Sequence, residues 1–468
     1  MSKKFYVTTP IYYVNAKPHI GHAYTTVAAD VLARFHKLLG EEVFFSAGTD
    51  EHGLKIQQKA AEAGRQPREF ADEISGQFKD LWEKLNIKYS DFIRTTDDKH
   101  KAAVQVVLQK LFDKGAIYKG TYKGLYCVGC EQFLNEKDLI EGKCPDHDKK
   151  PEVVEEEAYL LKLAAIQDEL IKRIKSKEFH ITSQRYENEV LSLLEGEGLR
   201  DVSVSRKNVS WGIPLPFDAE HTTYVWVDAF LNYLTVLGWG GEEEGPKFWP
   251  ADVSLIGKDI LRVHATIWPA ILLHLGLPLP KQLVVHGHIL SDGKKMSKTL
   301  GNAISIDEML EKFGVDGTRY LLMSAGAFGE DVDVTMEILV ERYNAQLANN
   351  LGNLVSRVIK INEGIGAKNE AKKINWEEEG KRLADFQFND FLDGVFKKVN
   401  EANKKIEETK LWELVKADED KAKEILESLL GVLSEISELL ELFLPETSEK
   451  IKKILETNKA EILFPRIK

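Results

Sequence analysis

The chain has 468 residues, 43% of them hydrophobic and 29% charged, a composition that excludes disordered, collagen-like and disulfide-scaffold classes and suggests about three domains. Its 63 basic and 75 acidic side chains give a net charge of −12, which excludes a general nucleic-acid coat but permits a local basic face. No apolar run reaches the ~18 residues of a membrane span. Because neither a signal peptide nor a transit peptide precedes the first strand pattern, we expect a cytoplasmic protein.

The N-terminal part alternates between strand and helix patterns. Its β-prone runs lie at residues 5–9 and 42–47. Its helix patterns, with apolar residues three and four positions apart, lie at 18–40, 70–81 and 104–112. Strand–helix alternation of this kind predicts an α/β fold with a Rossmann-like parallel sheet and helices on its faces.

From about residue 115 this rhythm breaks, and we predict an inserted connective domain at 116–214. Strand patterns return at 223–227, 253–256 and 283–285. The sheet domain is therefore expected to be split between 1–115 and 215–289.

The C-terminal part is almost wholly helical. Three long stripes of apolar residues begin near Ile338, Phe388 and Ile425, and the third ends at Pro445. Such stripes predict an all-α helical bundle of its own, which we place at 346–468.

The three cysteines fall in one short stretch, as Cys127-x2-Cys130 and Cys144-x2-His147. Two knuckles of this spacing supply the four nitrogen and sulfur ligands that Zn²⁺ takes in closed structural sites. We predict one structural Zn²⁺ on these four residues. The alternative is three buried thiols and an incidental surface histidine.

Two polar motifs follow strands of the predicted sheet. His19, Gly21 and His22 lie where the first strand is followed by a helix, whose N-terminus presents backbone N–H groups to an anion. Lys295 and Lys298 lie in a glycine-bracketed loop after the last strand, where they can meet the charge of a polyphosphate. Ligands of parallel sheets bind at the carboxyl edge, where both motifs fall. For each motif taken alone there is an alternative interpretation. The first could be a pair of ordinary surface histidines, and the second could be a solvated basic turn.

Together these motifs resemble the signature pair of class I aminoacyl-tRNA synthetases, HIGH at 19–22 and KMSKS at 295–299. The resemblance extends to the methionyl enzymes of that class and covers nearly the whole chain. It is carried by the stretches Thr8-Thr-Pro-Ile-Tyr-Tyr-Val-Asn, Gly48-Thr-Asp-Glu-His-Gly, Ser210-Trp-Gly-Ile-Pro, Tyr224-Val-Trp-Val-Asp-Ala, Gly257-Lys-Asp-Ile and Leu351-Gly-Asn-Leu-Val-Ser-Arg.

The resemblance implies a methionine site. Its amino group would be held by the backbone carbonyl of Ile11 and the carboxylate of Asp50. Its thioether would be walled by Tyr13, Trp226, Tyr233 and His264. Aromatic walls suit a polarizable sulfur, although Trp226 taken alone is equally a residue of the sheet core.

The resemblance also implies sites for ATP, with Mg²⁺, and for tRNA(Met). The ATP-binding residues would be His19, Gly21, His22, Gly257, Asp259, Lys295 and Lys298, of which His19, His22, Lys295 and Lys298 would be catalytic. The lysine loop would lie in a region, 290–345, that contacts the tRNA stem. The anticodon would be bound by Asn353, Arg357 and Trp412, and the alternative for Trp412 is a place in the bundle core.

The implied activity is that of a methionine–tRNA ligase, which forms methionyl-adenylate from methionine and ATP and then charges the terminal ribose of tRNA. Another class I synthetase remains an alternative. A second alternative is a small-molecule adenylyltransferase, but such an enzyme has no use for a zinc insertion and a helical bundle. A third is a zinc-bearing RNA-binding protein, but this function would not explain the lysine loop. Because the chain ends at Lys468, soon after the bundle, we expect a monomer.

Three positions depart from the family pattern. Thr299 replaces the last Ser of the second signature and keeps a hydroxyl. Val263 replaces a common Phe before His264, and Leu411 replaces a Pro before Trp412. The last change could rotate the Trp412 ring inward, as the core alternative for Trp412 requires.

Overall fold

The structure, a computed structural model, describes residues 3–129, 132–134, 136, 139–145, 148–207, 209–296, 304–368 and 374–468. These residues form two compact units. The first unit takes its described residues from 1–18, 42–81 and 88–285, and the second from 19–41, 82–87 and 286–468. Among the helices described, none is long and apolar enough to cross a membrane.

The first unit is built on a seven-stranded sheet. Along its main path the strands lie in the order Tyr12–Tyr13, Glu42–Asp50, Lys4–Thr8, Val253–Gly257, Gln282–His286 and His180–Thr182, and Asp91–Arg94 also pairs with Glu42–Asp50. Five of the strand pairs in this sheet have a defined residue register, and all five are parallel. The predicted parallel sheet is thus confirmed, and its strands at 5–9, 42–47, 253–256 and 283–285 all belong to it.

Helices of the first unit connect these strands. Their bounds are Leu54–Glu62, Pro67–Lys84, Asp98–Asp113, Gln167–Lys175, Gln184–Ser192, Val225–Phe230, Asn232–Thr235 and Leu261–Leu275, with short turns of other helix types at Ala164–Ile166, Leu193–Glu197 and Lys258–Ile260. The patterns at 70–81 and 104–112 both lie within observed helices. Their apolar residues, such as Phe78 and Leu108, are fully buried.

The insertion contains a four-stranded antiparallel sheet made of Ile117–Cys127, Gln132–Leu134, Glu152–Leu161 and Val202–Ser203. Within the same predicted range, however, His180–Thr182 joins the edge of the parallel sheet beside Gln282–His286. A three-residue strand is too short to show a period, so the sequence did not indicate this return to the main sheet.

The strand expected at 223–227 is wrong. The observed strand, Asp218–Thr223, belongs to a small antiparallel sheet with Ser205–Arg206 and Pro214–Leu215, and a helix begins at Val225. Val225, Val227 and the three residues after it, Asp228 among them, are buried, and Trp226 is half-buried, so the sequence shows no exposed polar face that would mark a helix. A short apolar run buried on every side cannot be told from a strand by its periodicity.

The second unit is mostly helical. Its helices are Ile20–Leu38, Ile306–Met323, Met336–Arg342, Asn353–Ile365, Trp376–Glu379, Lys381–Ala384, Phe388–Glu408, Leu411–Ala417, Glu419–Leu440 and Pro445–Thr457, with a π-helical segment at Tyr343–Gly352 and short strands at Ile289–Ser291, Lys294–Lys295 and Val332–Asp333. The predicted helical C-terminal region is confirmed. Pro445 ends the third stripe as predicted, and it also begins a further helix, since proline is well tolerated in a first helical turn.

A buried ion pair joins three parts of the second unit. Arg319 Nη2 donates to Asp30 Oδ2 at 2.7 Å, and neither side chain is exposed. The same guanidinium donates to the carbonyl oxygens of Leu85, Leu442 and Phe443 at 3.1, 3.2 and 2.7 Å. One side chain therefore fixes the helix Ile20–Leu38 against residue 85 and the segment that follows Glu419–Leu440.

We predict that Asp30→Ala lowers the free energy of unfolding by about 3–5 kcal/mol, because it leaves the Arg319 charge buried without its partner. The double variant Asp30→Leu/Arg319→Met should recover much of that loss, since apolar replacement of a buried pair is often neutral. Urea-induced unfolding measures both. Glu408→Ala, which removes the partner of the exposed Lys404, is the matched control and should change stability by less than about 1 kcal/mol. A similar small change for Asp30→Ala would contradict the account.

Candidate active site and RNA-binding residues

In the first unit, the residues assigned to an ammonium group meet at the carboxyl end of one strand. Asp50 is the last residue of Glu42–Asp50, Tyr13 pairs with it across the sheet, and the Val14 N–H donates to its carbonyl oxygen at 3.1 Å. Ile11 lies against Gly48, where an added Cβ would come within 2.8 Å of Ile11 Cγ2. Glycine at 48 therefore allows Ile11, Tyr13 and Asp50 to lie side by side.

An aromatic cluster provides the residues assigned to an apolar wall. Trp226 lies 6.2 Å from the His264 ring, edge to face, and Phe230 lies 4.9 Å from the same ring. The Tyr233 hydroxyl lies 3.0 Å from His264 Nε2. Tyr233 is in turn held by the Tyr6 hydroxyl, which donates to its carbonyl oxygen at 2.9 Å. The structure therefore brings together Trp226, Tyr233 and His264, three of the residues that the resemblance assigns to the thioether wall.

His264 is a neutral hydrogen-bond acceptor at Nε2. Its Nδ1 lies 2.9 Å from the Ile260 carbonyl oxygen, which can only accept, so the proton lies on Nδ1. Nε2 then accepts from the Tyr233 hydroxyl. Burial lowers the pKa of His264 to about 4, so the ring is uncharged at neutral pH. An uncharged ring beside aromatic side chains suits an apolar ligand.

The sequence did not indicate the residues that hold the segment after Asp50. Arg94 binds the buried Glu51 carboxylate in a bidentate pair, in which Nε and Nη2 donate to Oε1 and Oε2 at 2.7 and 2.9 Å. The hydroxyls of Thr49 and Thr96 also donate to this carboxylate, and the Trp211 indole N–H donates to the Glu51 carbonyl oxygen. Both sides of Asp50 are therefore anchored, to the sheet before it and to Glu51 after it.

Gly257 and Asp259 follow another strand of the same sheet. Gly257 ends Val253–Gly257, and Asp259 lies in the turn Lys258–Ile260 that leads into helix Leu261–Leu275. Asp259 is exposed, whereas Gly257 is buried. The structure thus places both residues at a carboxyl strand end, as expected for ligand-binding positions in a parallel sheet.

In the second unit, His19 and His22 cap the helix Ile20–Leu38 in a reciprocal pair. His19 Nδ1 accepts from the Gly21 N–H at 3.1 Å, and His22 Nδ1 accepts from the His19 N–H at 3.2 Å. The two rings stack at 3.7 Å. Because each Nδ1 accepts a backbone N–H, each neutral ring carries its proton on Nε2. Burial first, and then the neighbouring His19, lower the pKa of His22 well below its ordinary value, so that ring stays neutral.

The lysine loop is described as far as residue 296. Ser291 pairs with Lys294 across a two-residue hairpin whose central residues, Asp292 and Gly293, both have positive φ, as a type I′ turn requires. The Gly293 N–H donates to Asp333 Oδ2 at 2.8 Å, which anchors the turn. Lys298 lies outside the described residues, and for Lys295 the structure describes the backbone.

The cysteine cluster is described in part. Cys127 ends a strand of the insertion sheet and pairs with residue 132 across a hairpin. Cys144 follows a tight turn in which Ile140 and Lys143 exchange two backbone hydrogen bonds of 2.9 Å. Both thiols are buried. Cys130 and His147 lie outside the described residues, and within the described part no three metal-ligand side chains converge.

Trp412 is exposed on the helical bundle, with 42% of its surface accessible. The preceding Leu411 is fully buried and takes the core position at the start of helix Leu411–Ala417. The Arg357 guanidinium lies 5.7 Å from the centre of the Trp412 ring and pairs with Glu407 at 2.7 Å. The core alternative for Trp412 is therefore wrong. Asn353, one turn before Arg357 on the same helix, is also exposed.

Known proteins resemble this chain along its length. A family profile described as tRNA synthetases class I (M) matches residues 5–150 and 137–359. The chain is 42% identical to a methionine–tRNA ligase of Clostridium acetobutylicum, over 99% of this chain and 78% of that protein. It is 40% identical to a methionine–tRNA ligase of Rickettsia bellii, over 100% and 95%. The structure of Mycobacterium tuberculosis methionyl-tRNA synthetase in complex with methionyl-adenylate has a TM-score of 0.90 at 34% identity, over 97% of this chain and 94% of that one.

Proposed function

The chain belongs to the methionyl family of class I tRNA synthetases, and we propose below how its own residues perform the reaction of that family. The enzyme is a methionine–tRNA ligase: it activates methionine with ATP and charges tRNA. The observation that carries this conclusion is similarity over the full chain, in sequence and in fold, to methionine–tRNA ligases, one of them bound to methionyl-adenylate.

The reaction needs no protein nucleophile. The methionine carboxylate attacks the α-phosphorus of ATP, pyrophosphate leaves, and a ribose hydroxyl of tRNA then displaces AMP from the carbonyl carbon. Both steps depend on positioning and on stabilisation of charge on phosphate oxygens. The protein therefore has to hold methionine and ATP in line, and the two sets of residues below are proposed for that purpose.

The methionine site is proposed on the aromatic cluster and Asp50. The Asp50 carboxylate and the Ile11 carbonyl oxygen would accept hydrogen bonds from the substrate ammonium, a charge-assisted contact. Tyr13, Trp226 and Tyr233 would surround the thioether. Support comes from the neutral His264, because an imidazolium in this wall would oppose an apolar side chain.

The ATP site is proposed on the capping histidines, on Gly257 and Asp259, and on the lysine loop. A proton on Nε2 of His19 and of His22 is a donor suited to phosphate or ribose oxygens, and the backbone at Gly21 lies at a helix N-terminus, which favours anions. Lys295 and Lys298 would stabilise negative charge on the phosphates in the transition state. Mg²⁺ bound with ATP neutralises part of the phosphate charge.

A structural Zn²⁺ is proposed on Cys127, Cys130, Cys144 and His147. Support comes from the two described cysteines, whose thiols are both buried, and from the tight backbone turn that precedes Cys144. Four protein ligands leave no position for substrate, so the metal would stabilise the insertion and take no part in the chemistry.

Recognition of the tRNA is proposed on the helical bundle. Trp412 would stack on an unpaired base of the anticodon, with Asn353 and Arg357 beside it to bind base edges or phosphate. The exposed ring and its adjacent guanidinium support this assignment. In this scheme 346–468 binds the anticodon, 290–345 contacts the tRNA stem, and 116–214 is the connective domain. We propose that the enzyme charges tRNA in the cytoplasm.

Metal analysis tests the zinc proposal. We expect one zinc per chain in purified protein, and we expect Cys144→Ala to lose the metal and lower the melting temperature, since structural zinc contributes directly to folding. The chain has three cysteines, all in this cluster, so thiol titration of the folded protein reports on the cluster alone. The proposal would be refuted if the purified protein contained no zinc and all three thiols reacted at once in the folded state.

Pyrophosphate exchange tests Asp50. Asp50→Ala should raise the KM for methionine by roughly 10- to 100-fold, the loss expected from one hydrogen bond to a charged group, while the KM for ATP stays nearly unchanged. Asp259→Ala is the matched control, because it removes a carboxylate from the same sheet edge and should affect ATP more than methionine. Equal losses for both substrates in Asp50→Ala would show that Asp50 serves only to hold the backbone.

Aminoacylation tests Trp412. Trp412→Ala should reduce tRNA charging by roughly 10- to 100-fold, because one base loses its stacking partner, and should leave pyrophosphate exchange unchanged. Trp412→Phe should retain part of the charging activity. Trp376→Ala, which removes a half-buried tryptophan packed against Phe35, is the control and should lower stability without a selective loss of charging. Normal charging by Trp412→Ala would refute the stacking role.

A further inference from the structure

A buried carboxylate with two histidine partners lies in the first unit, outside the residues assigned above. Asp228 Oδ2 lies 2.6 Å from His52 Nδ1, and Asp228 Oδ1 lies 2.8 Å from His100 Nε2. The other nitrogen of His100 lies 2.8 Å from the Thr235 hydroxyl. Asp228, His52 and His100 are 1%, 4% and 0% exposed, so water does not compete for these hydrogen bonds.

Each end of this cluster is two residues away from a side chain of the proposed methionine site. His52 follows Asp50, Asp228 follows Trp226, and Thr235 follows Tyr233, each by two positions. His100 comes from a different helix, Asp98–Asp113. The cluster therefore connects the segment that carries the ammonium ligand to the two short helices that carry the apolar wall.

The cluster is a rigid connection because breaking any of its hydrogen bonds costs free energy. Burial opposes ionisation of Asp228, but the electrostatic attraction of His52 and the hydrogen bonds from His52 and His100 outweigh it and lower the pKa of Asp228, so the carboxylate stays ionised. A buried carboxylate that loses a partner retains its desolvation cost. His52 is also packed against the Trp211 ring at 5.4 Å, and the Gly53 N–H donates to the Trp211 carbonyl oxygen at 3.0 Å.

We propose that His52, Asp228 and His100 are positioning residues that fix the separation between Asp50 and Trp226, and thereby set the affinity of the enzyme for methionine. None of the three contacts the substrate in this arrangement. The proposal rests on the assignment of Asp50 and Trp226 to the methionine site. Methionine would be held at both its charged end and its apolar end. It therefore binds well only when the protein keeps the two contact regions at a fixed distance, and this cluster maintains that distance.

The test is the split between methionine and ATP in pyrophosphate exchange, together with methionine binding measured by calorimetry without ATP. Asp228→Asn keeps the shape of the side chain but can accept from only one of the two histidines in the same geometry. We expect its kcat/KM for methionine to fall about 10- to 100-fold, with the KM for ATP within about twofold of wild type. Calorimetry should show the matching loss of methionine affinity.

A comparison of two His52 variants distinguishes a positioning role from a role in folding alone. His52→Asn places an amide N–H near the position of Nδ1, whereas His52→Ala places none, so the Asn variant should bind methionine more tightly than the Ala variant. If Asp228→Asn does not fold, this His52 pair decides the question by the same comparison. His221→Ala is the control, because it removes an equally buried histidine that bonds to Ser205 at 3.1 Å, and it should lower stability without selectivity for methionine.

Two outcomes would overturn the inference: equal losses for methionine and ATP in Asp228→Asn, or no difference between the two His52 variants. Asp50→Ala distinguishes this failure from failure of the site itself. If Asp50→Ala is selective for methionine and the cluster variants are not, the positioning role is wrong and the methionine site stands. If Asp50→Ala is not selective, the assignment of Asp50 to the methionine site is wrong, and the positioning role that rests on it falls as well.

Discussion

A charge removed from water must be paired inside the protein, and this constraint organises both units. Glu51 and Asp228 in the first unit and Asp30 in the second are carboxylates with at most 1% exposure. Each is held by Arg or His side chains that come from other elements of its unit. Because no partner can leave without a cost of several kcal/mol, these three positions determine which backbone segments stay adjacent.

The first unit uses this constraint to build a site from distant segments. Glu51 lies between Asp50 and His52, so the pairs it makes with Arg94 and the pair of His52 with Asp228 hold one short stretch from two sides. The aromatic cluster adds shape without charge, since burial keeps His264 neutral and the Tyr233 hydroxyl satisfies its acceptor nitrogen. In the methionine site that we propose, the charge for the ammonium and the apolar surface for the thioether are thus separated within one preorganised region.

Imidazoles have a different purpose in the second unit, where they cap a helix. His19 and His22 satisfy backbone N–H groups of the first helical turn through Nδ1, which defines their tautomers. Burial, and then the neighbouring His19, lower the pKa of His22 well below its ordinary value, so the His22 ring is uncharged at neutral pH. Two Nε2–H donors at a helix N-terminus suit phosphate oxygens, which is the role that we propose for them.

The sequence by itself determined the parallel sheet, the position of the histidine motif at a helix N-terminus and the helical C-terminal region, because these follow from periodicity and from motifs read along the chain. Tertiary structure decided the rest. Leu411 and Trp412 are both apolar neighbours, and only packing against the bundle determines that Leu411 is buried and Trp412 is exposed. The run at 225–227 is too short and too uniformly apolar for its period to distinguish a helix from a strand, and only the fold shows that it is helical. The partners of Asp228 lie 176 and 128 residues away, a separation over which no local pattern specifies pairing, so the fold alone brings them together.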